Sequence, residues 1–314
     1  IWYAPEVASL GVSKPAAREG LTMLRRCFKS LAVAASCSAA LLGVSASAQD
    51  GSRLNETSVA LSKIEQVYVT SLGQVSDEPI VGNEFGGRDE CQEISQLPTV
   101  GFDGGEYFVQ AGFVENEIAA VSYTLDPALF PIRIDLIEAL VGHAGTSVPT
   151  TTEYSILVWE GTPATGTLVG SFSSDGTIIP HVELPQSPIP QATNVNFLVD
   201  PGDPEQIFMN NTGGTNTFSV GFRIDRHNNQ IGTGCILPPA QNANAFPMTD
   251  TDGANQTQNW INAIDCGPLG CSAGWSSFQQ FPALCTPNGD WMIRATWTSF
   301  SCTAGSGACC GDDG

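Results

Sequence analysis

The sequence predicts an all-β protein: an antiparallel β-sandwich or jelly-roll-like domain with a disulfide-stapled long loop region. Three observations predict it. Charged residues make up 14% of the chain against 42% hydrophobic, enough for a core but poor in the charged residues that solvate helix faces. The 33 glycines and 20 prolines are scattered without a period, as turn punctuation is. Short stretches alternate apolar and polar residues, the period of a half-buried strand. No β–α–β alternation occurs, which argues against a nucleotide-binding α/β fold.

Residues 1–22 precede the first methionine, Met23, and read as translated residues upstream of the true start. Residues 23–48 carry the marks of a secretory signal peptide. Arg25, Arg26 and Lys29 form the basic start, Leu31 to Val44 the apolar run, and Ala46-Ser47-Ala48 the small-residue cleavage site. A transmembrane helix is the competing reading, but a span needs about 20 apolar residues and this run is shorter and rich in Ala and Ser. The expectation is export, to the extracellular space or the cell surface, with cleavage after Ala48 and no transmembrane span in the mature chain.

Residues 49–105 read as a partly ordered N-terminal extension. Within it Ala60, Ile64, Val67 and Tyr68 could share a helix face, although Val67-Tyr68-Val69-Thr70 also suits a strand. Residues 106–300 read as the sandwich. Pro131 to Leu136 alternates, and Phe218, Val220, Phe222 and Ile224 fall on one face of a longer run. Tyr154 to Trp159 is apolar on both sides and should lie centrally. Asn194 to Val199 and Trp291 to Trp297 complete the clearest strands. Turn signals separate them: Gly161-Thr162-Pro163, Asp175-Gly176, Pro201-Gly202 and Gly213-Gly214. Residues 235–287 are rich in Asn, Gln, Pro, Gly and Cys, and read as the long stapled excursion with short strands.

Eight cysteines beyond residue 48 fit an oxidising compartment. Cys266 and Cys271 suit a small disulfide-closed turn, and Cys235 with Cys285 is a second pairing. Zinc on Cys266, Cys271 and Cys285 is the alternative, without the second C-x-x-C pair or nearby His that it would want. The chain holds 12 Lys+Arg against 32 Asp+Glu. Five of those bases and two of those acids precede residue 49, so the remainder carries 7 and 30, a formal charge of −23. Such a surface repels nucleic acid, whose binding rests on neutralising phosphates.

Chemistry-bearing motifs are few. The three histidines, His143, His181 and His227, show no H-E-x-x-H or H-x-H spacing. A phosphate-binding G-x-x-x-x-G-K-[ST] loop is absent. A glycoside hydrolase with a carboxylate pair is a further reading, though abundant acids single out no pair. The expectation is therefore no enzyme and no cofactor, with calcium as one exception. Asp250, Asp252 and Asn255 lie in one glycine-bearing loop, Thr249-Asp250-Thr251-Asp252-Gly253-Ala254-Asn255, whose oxygens suit a hard cation. A solvated Asx turn is the competing reading. Carbohydrate binding would use exposed aromatics. Trp291 and Trp297 share a strand face and read as core, as does Trp159. That leaves Trp260 and Trp275, in the polar excursion, as the ligand-facing candidates.

"YSILVWEGTPATGTLVGSF" (Tyr154 to Phe172) and "GDWMIRATW" (Gly289 to Trp297) resemble uncharacterised secreted β-sandwich modules of environmental bacteria. "CTAGSGACCGDDG" (Cys302 to Gly314) resembles the start of a small GACC-type cysteine repeat of secreted planctomycete proteins, here reading as truncated. The resemblance implies a fold and brings no catalytic residues. The function expected is an exported, non-catalytic β-sandwich module with an interaction or structural role, or a carbohydrate-binding module. Its partners would be extracellular polysaccharide or cell-surface components.

Overall fold

The structure, a computed structural model, describes residues 55–73, 75–76, 92–199, 203–204, 206–230, 240–264, 272–282 and 285–301. Seventeen strands and two short 3-10 turns make up its regular elements among these residues. The all-β sandwich expected from the alternation is what forms: two sheets packed face to face around one main core.

The larger sheet is organised on β7 (Ile132–His143), which pairs along both edges. One edge takes β11 (Gln191–Leu198) and then β12 (Ile207–Met209). The other takes β14 (Phe246–Thr249) and then β17 (Ile293–Ser299). Outside these lie β5 (Gly105–Ala111) on β14, β1 (Asn55–Leu61) on β5, and β4 (Gln92–Gln96) on β17. β2 (Glu65–Thr70) lines β11, with β3 (Val75–Ser76) beyond it. The β2–β11 pair runs parallel, the one parallel pair among the described strands. The remaining pairs are antiparallel, as predicted.

β7 shows how the pattern sets the register. Ile132 and Ile134 face inward, but the next inward residue is Ile137, not Leu136. A bulge absorbs the change of phase: Trp297 of β17 lies opposite Ile134 and Thr296 opposite Leu136, which leaves Asp135 as the extra residue. Ile137, Ala139 and Val141 then continue the buried face. On β11, Val195 and Phe197 point into the core while Asn194 and Asn196 point out.

The smaller sheet runs β10 (Val182–Leu184), β8 (Thr150–Glu160), β13 (Thr217–Arg226), β6 (Ile118–Thr124), β15 (Asn259–Ala263) and β16 (Gly274–Ser277), with β9 (Thr167–Ser173) also on β8. The expected face of β13 is fully inward: Phe218, Val220, Phe222 and Ile224 are buried. Phe222 stacks on Tyr154 at 5.1 Å and 12°, and Phe172 of β9 meets Phe197 of β11 across the sandwich at 4.8 Å. The Tyr123 hydroxyl donates to the Ile293 carbonyl at 2.8 Å, tying the two sheets together through the core. Burying a side chain of this size contributes about 1.5–3 kcal/mol.

Two expectations change. The helix-like spacing over residues 59–68 forms no helix. Val59 and Leu61 face inward as alternate residues of β1, and β2 follows after a turn. Its Val-Tyr-Val run suits a pleated, half-buried surface better than a helix. β1, β2 and β4 all come from the stretch read as an extension, and all pair into the larger sheet. The cysteine-rich excursion likewise supplies β14 to one sheet and β15 and β16 to the other. Among the described residues no helix is long and apolar enough to cross a membrane. The signal-peptide stretch and the Cys302–Gly314 tail lie outside the described residues.

Candidate functional site

The outward face of the smaller sheet carries a second apolar cluster, separate from the main core. Residue parity puts it there. Ala119 and Val121 of β6, Ile156 and Val158 of β8, and Ile261 of β15 point inward. Their neighbours Ile118 and Ala120, Leu157 and Trp159, and Trp260 point outward. The registers set two rows across the sheet. One reads Leu157, Gly221, Ala120, Trp260 and Ser277; the other reads Ser155, Arg223, Ile118, Asn262 and Trp275.

Trp159 and Trp275 stand four strands apart, about 19 Å on a flat sheet at the usual strand spacing. Their rings nevertheless meet edge to face, with centroids 5.5 Å apart at 87°. The sheet is therefore curled, with this face on the concave side. Small residues make the floor. A Cβ on Gly221 would come within 3.0 Å of the Trp159 ring and 3.1 Å of the Ala120 Cβ. The two tryptophans singled out by composition thus come together, and Trp159, expected in the core, joins them as their buried support.

Polar groups on this face are unevenly used. Ser155, Arg223 and Asp225 form a closed set: Arg223 Nε donates to Asp225 at 2.5 Å and its Nη2 to Ser155 at 3.0 Å. In contrast, the Trp260 indole N–H is buried with no acceptor. The half-buried Asn262 side chain, beside Trp275 in the register, makes no hydrogen bond among the described residues.

The second candidate region is the loop after β14. Thr249 bridges Trp291, which brings Asp290 against Asp250. Asp290 N–H donates to Asp250 Oδ1 at 2.7 Å, and Asp250 N–H donates back to the Asp290 carbonyl at 3.0 Å. Asp290 Oδ1 accepts from Asn255 N–H at 2.5 Å and from the Asn259 amide at 2.6 Å. Asp250 is 1% exposed, and its Oδ2 has no hydrogen-bond donor. Burial, then the adjacent Asp252 carboxyl within hydrogen-bonding reach, pushes Asp250 up to about 7. Exposed Asp252 accepts from the Thr99 hydroxyl, the main cause that holds it below the usual carboxylate range.

Asp250 and Asp252 are thus brought together as expected, and Asn255 is not aimed at them. Its Oδ1 accepts from Thr257 N–H at 3.1 Å, the Thr257 hydroxyl at 3.2 Å and Gln258 N–H at 3.1 Å, an Asx turn that uses the oxygen a cation would need. Asp290 and Thr99 complete the cluster and lie far from the loop in sequence. Only the β14–Trp291 bridge, a tertiary feature, brings Asp290 in. Among the described residues no three or more His, Cys, Asp or Glu side chains are arranged as a metal cage.

Of the cysteines, Cys285 is buried and disulfide-bonded. Cys235, Cys266 and Cys271 lie outside the described residues. The histidines are dispersed. His227 Nε2 donates to the Phe113 carbonyl at 2.8 Å, so in the neutral ring Nε2 carries the proton. His181 lines a cleft of about 40 Å³ with Glu65, Tyr154 and Glu183, room for water only.

No family model matches the chain, and no curated protein matches it. A solved structure that matches is "the cysteine protease and lectin-like domains of Cwp84, a surface layer associated protein of Clostridium difficile". It is 12% identical over 72% of this chain and 38% of that one, with a TM-score of 0.32. The chain spans well under two thirds of that structure, and so distant a likeness bears on neither site nor activity.

Proposed function

We propose that the protein is an exported, non-catalytic module, extracellular or surface-associated, that binds a neutral saccharide on the concave face of its smaller sheet. The observation that carries this reading is the pairing of half-buried Trp260 and Trp275 with the open Asn262 amide beside them. A sugar offers apolar C–H faces to stack on indole rings and hydroxyls to accept from or donate to amides. The half-buried Asn262 amide makes no hydrogen bond among the described residues, which is the complement a hydroxylated ligand supplies. Trp159 and Leu157 beneath them keep the rings in place, so little side-chain freedom is lost on binding. The formal charge of −23 beyond residue 48 favours neutral over acidic polysaccharides. Export rests on the basic start, apolar run and Ala46-Ser47-Ala48 site of the sequence.

A glycan array followed by calorimetry tests the reading. Wild-type protein should bind neutral glycans, and Trp260→Ala and Trp275→Ala should each weaken binding by about tenfold or more. Absence of any glycan bound would overturn the ligand class. Undiminished binding by both variants would overturn the face.

A further inference from the structure

We propose that Asp250 and Asp252 hold a divalent hard cation of the calcium class, bound at the solvent edge of the loop that leads into β15. The case begins with one atom. Asp250 Oδ2 is buried in a residue 1% exposed, and among the described residues no N–H or O–H reaches it. A buried carboxylate oxygen without a donor is costly, and proteins leave few of them. A second carboxyl, that of Asp252, lies within hydrogen-bonding reach of the Asp250 carboxyl, so two acceptor groups sit side by side. Two acceptors side by side need a positive charge between them, either a shared proton or a cation.

The surroundings favour a cation. Asp290, behind the pair, adds a third carboxyl, and its Oδ1 is already committed to Asn255 and Asn259. The neighbouring groups named here are oxygen donors: carboxylates, the Thr99 hydroxyl on Asp252, and loop carbonyls. Oxygen donors with no histidine or thiolate among them select a hard ion over zinc or copper. Asp252 is exposed, so water can fill the open coordination positions. Gly289 permits the close packing underneath, since a Cβ there would come 1.9 Å from the Asp250 carbonyl oxygen. Two carboxylates and no full cage place the affinity with extracellular modules, about 10⁻⁴–10⁻³ M.

This inference stands apart from the saccharide reading, because its readout needs no glycan. Thermal melts and calorimetry on the purified protein at neutral pH, with calcium, with magnesium and with chelator, would test it. Millimolar calcium should raise Tm by about 2–5 °C, reversibly with chelator. Magnesium should do less, because it sheds its water reluctantly. Asp252→Asn alters an exposed side chain and should fold, and its calcium shift should disappear. Thr99→Val keeps both carboxylates and should retain a calcium shift. No shift and no heat in wild-type protein, or an equal shift in Asp252→Asn, would overturn the site and leave the shared proton in its place.

Discussion

The two outward faces of this sandwich solve the same problem in opposite ways. On the larger sheet the outward residues are polar and buried. Glu138, 3% exposed, accepts from Arg294 at 2.5 and 2.7 Å and from the Asn194 amide at 3.0 Å. Asp135 accepts from Arg133 at 2.6 Å, Thr298 at 2.5 Å and Gln92 at 3.4 Å. The Arg294 guanidinium also lies 4.2 Å from the centre of the Phe102 ring. Asn194 Oδ1 is the exception, buried without a donor. On the smaller sheet the outward cluster is apolar: buried Ile118, Ala120, Leu157 and Trp159 support half-buried Trp260 and Trp275, and the Asn262 amide is left open. A face whose charges are matched internally holds the fold together; a face with half-buried rings and an open amide has capacity left for a ligand.

The sharpest way to break that contrast is at Arg294. Arg294→Met removes the bidentate partner of a buried carboxylate and should cost about 3–5 kcal/mol. Denaturant unfolding would show the loss. Replacing both partners, as Arg294→Met with Glu138→Leu, should recover much of it, because a matched apolar pair leaves no stranded charge. Recovery would show that the network stabilises by being complete. A small loss in the single variant would mean the polar face is solvated and not interior-like.

His227 gives the next largest effect. Burial pushes its imidazole down to about 4, against an ordinary value of 6.5. The folded state therefore keeps it neutral while the unfolded state takes up a proton, so its contribution is complete above about pH 6.5 and is lost as pH falls toward 4. The span corresponds to about 3 kcal/mol. Asp250, Asp135 and Asp290 are raised, mainly by burial, and act with the opposite sign as pH falls. The comparison of wild-type protein with His227→Gln isolates the histidine: the difference in unfolding free energy should shrink on acidification. A constant difference would place the ring in contact with water.

Gly221 probes the aromatic face from below. Gly221→Val would push into the Trp159 ring, the Ala119 carbonyl and Ala120, all within about 3 Å of the first added carbon. The expected cost is about 1–3 kcal/mol, with a change in tryptophan fluorescence as Trp159 moves. Unchanged fluorescence would mean that the backbone yields before the ring does.

What could be read from the sequence was what alternation encodes. β13 shows a clean period of two, and its buried face is the expected one; β11 forms where a strand was expected. β7 defeats that reading after Ile134, because a bulge at Asp135 depends on its partner β17 and leaves no local mark. β1 and β2 were ambiguous because short apolar segments fit both periods until a sheet edge takes them up. The site divides in the same way. Trp260 and Trp275 stood out because they are large and apolar in a polar stretch. Trp159 is buried as expected, but in a second apolar cluster on the opposite face, which alternation cannot distinguish from the main core. Asp290 was invisible for another reason: it reaches Asp250 through the bridge between Thr249 and Trp291.

The smallest effect on stability, and the most informative about the contrast, is expected at Trp275. Its ring is half-buried and its described aromatic contact is the edge-to-face meeting with Trp159. Such a pair contributes about 0.5–1.5 kcal/mol beyond area burial. Trp275→Ala should therefore lower stability modestly, far less than Arg294→Met. Trp291 should behave differently: it is fully buried between Phe113 and Phe278, with centroids at 5.6 and 5.8 Å, and Trp291→Ala should cost about 3–5 kcal/mol. A Trp275 variant that folds almost as well as wild type but no longer holds a glycan would separate binding from folding on this face. If Trp275→Ala instead costs as much as Trp291→Ala, the concave face is a second core, and its rings are not free for a ligand.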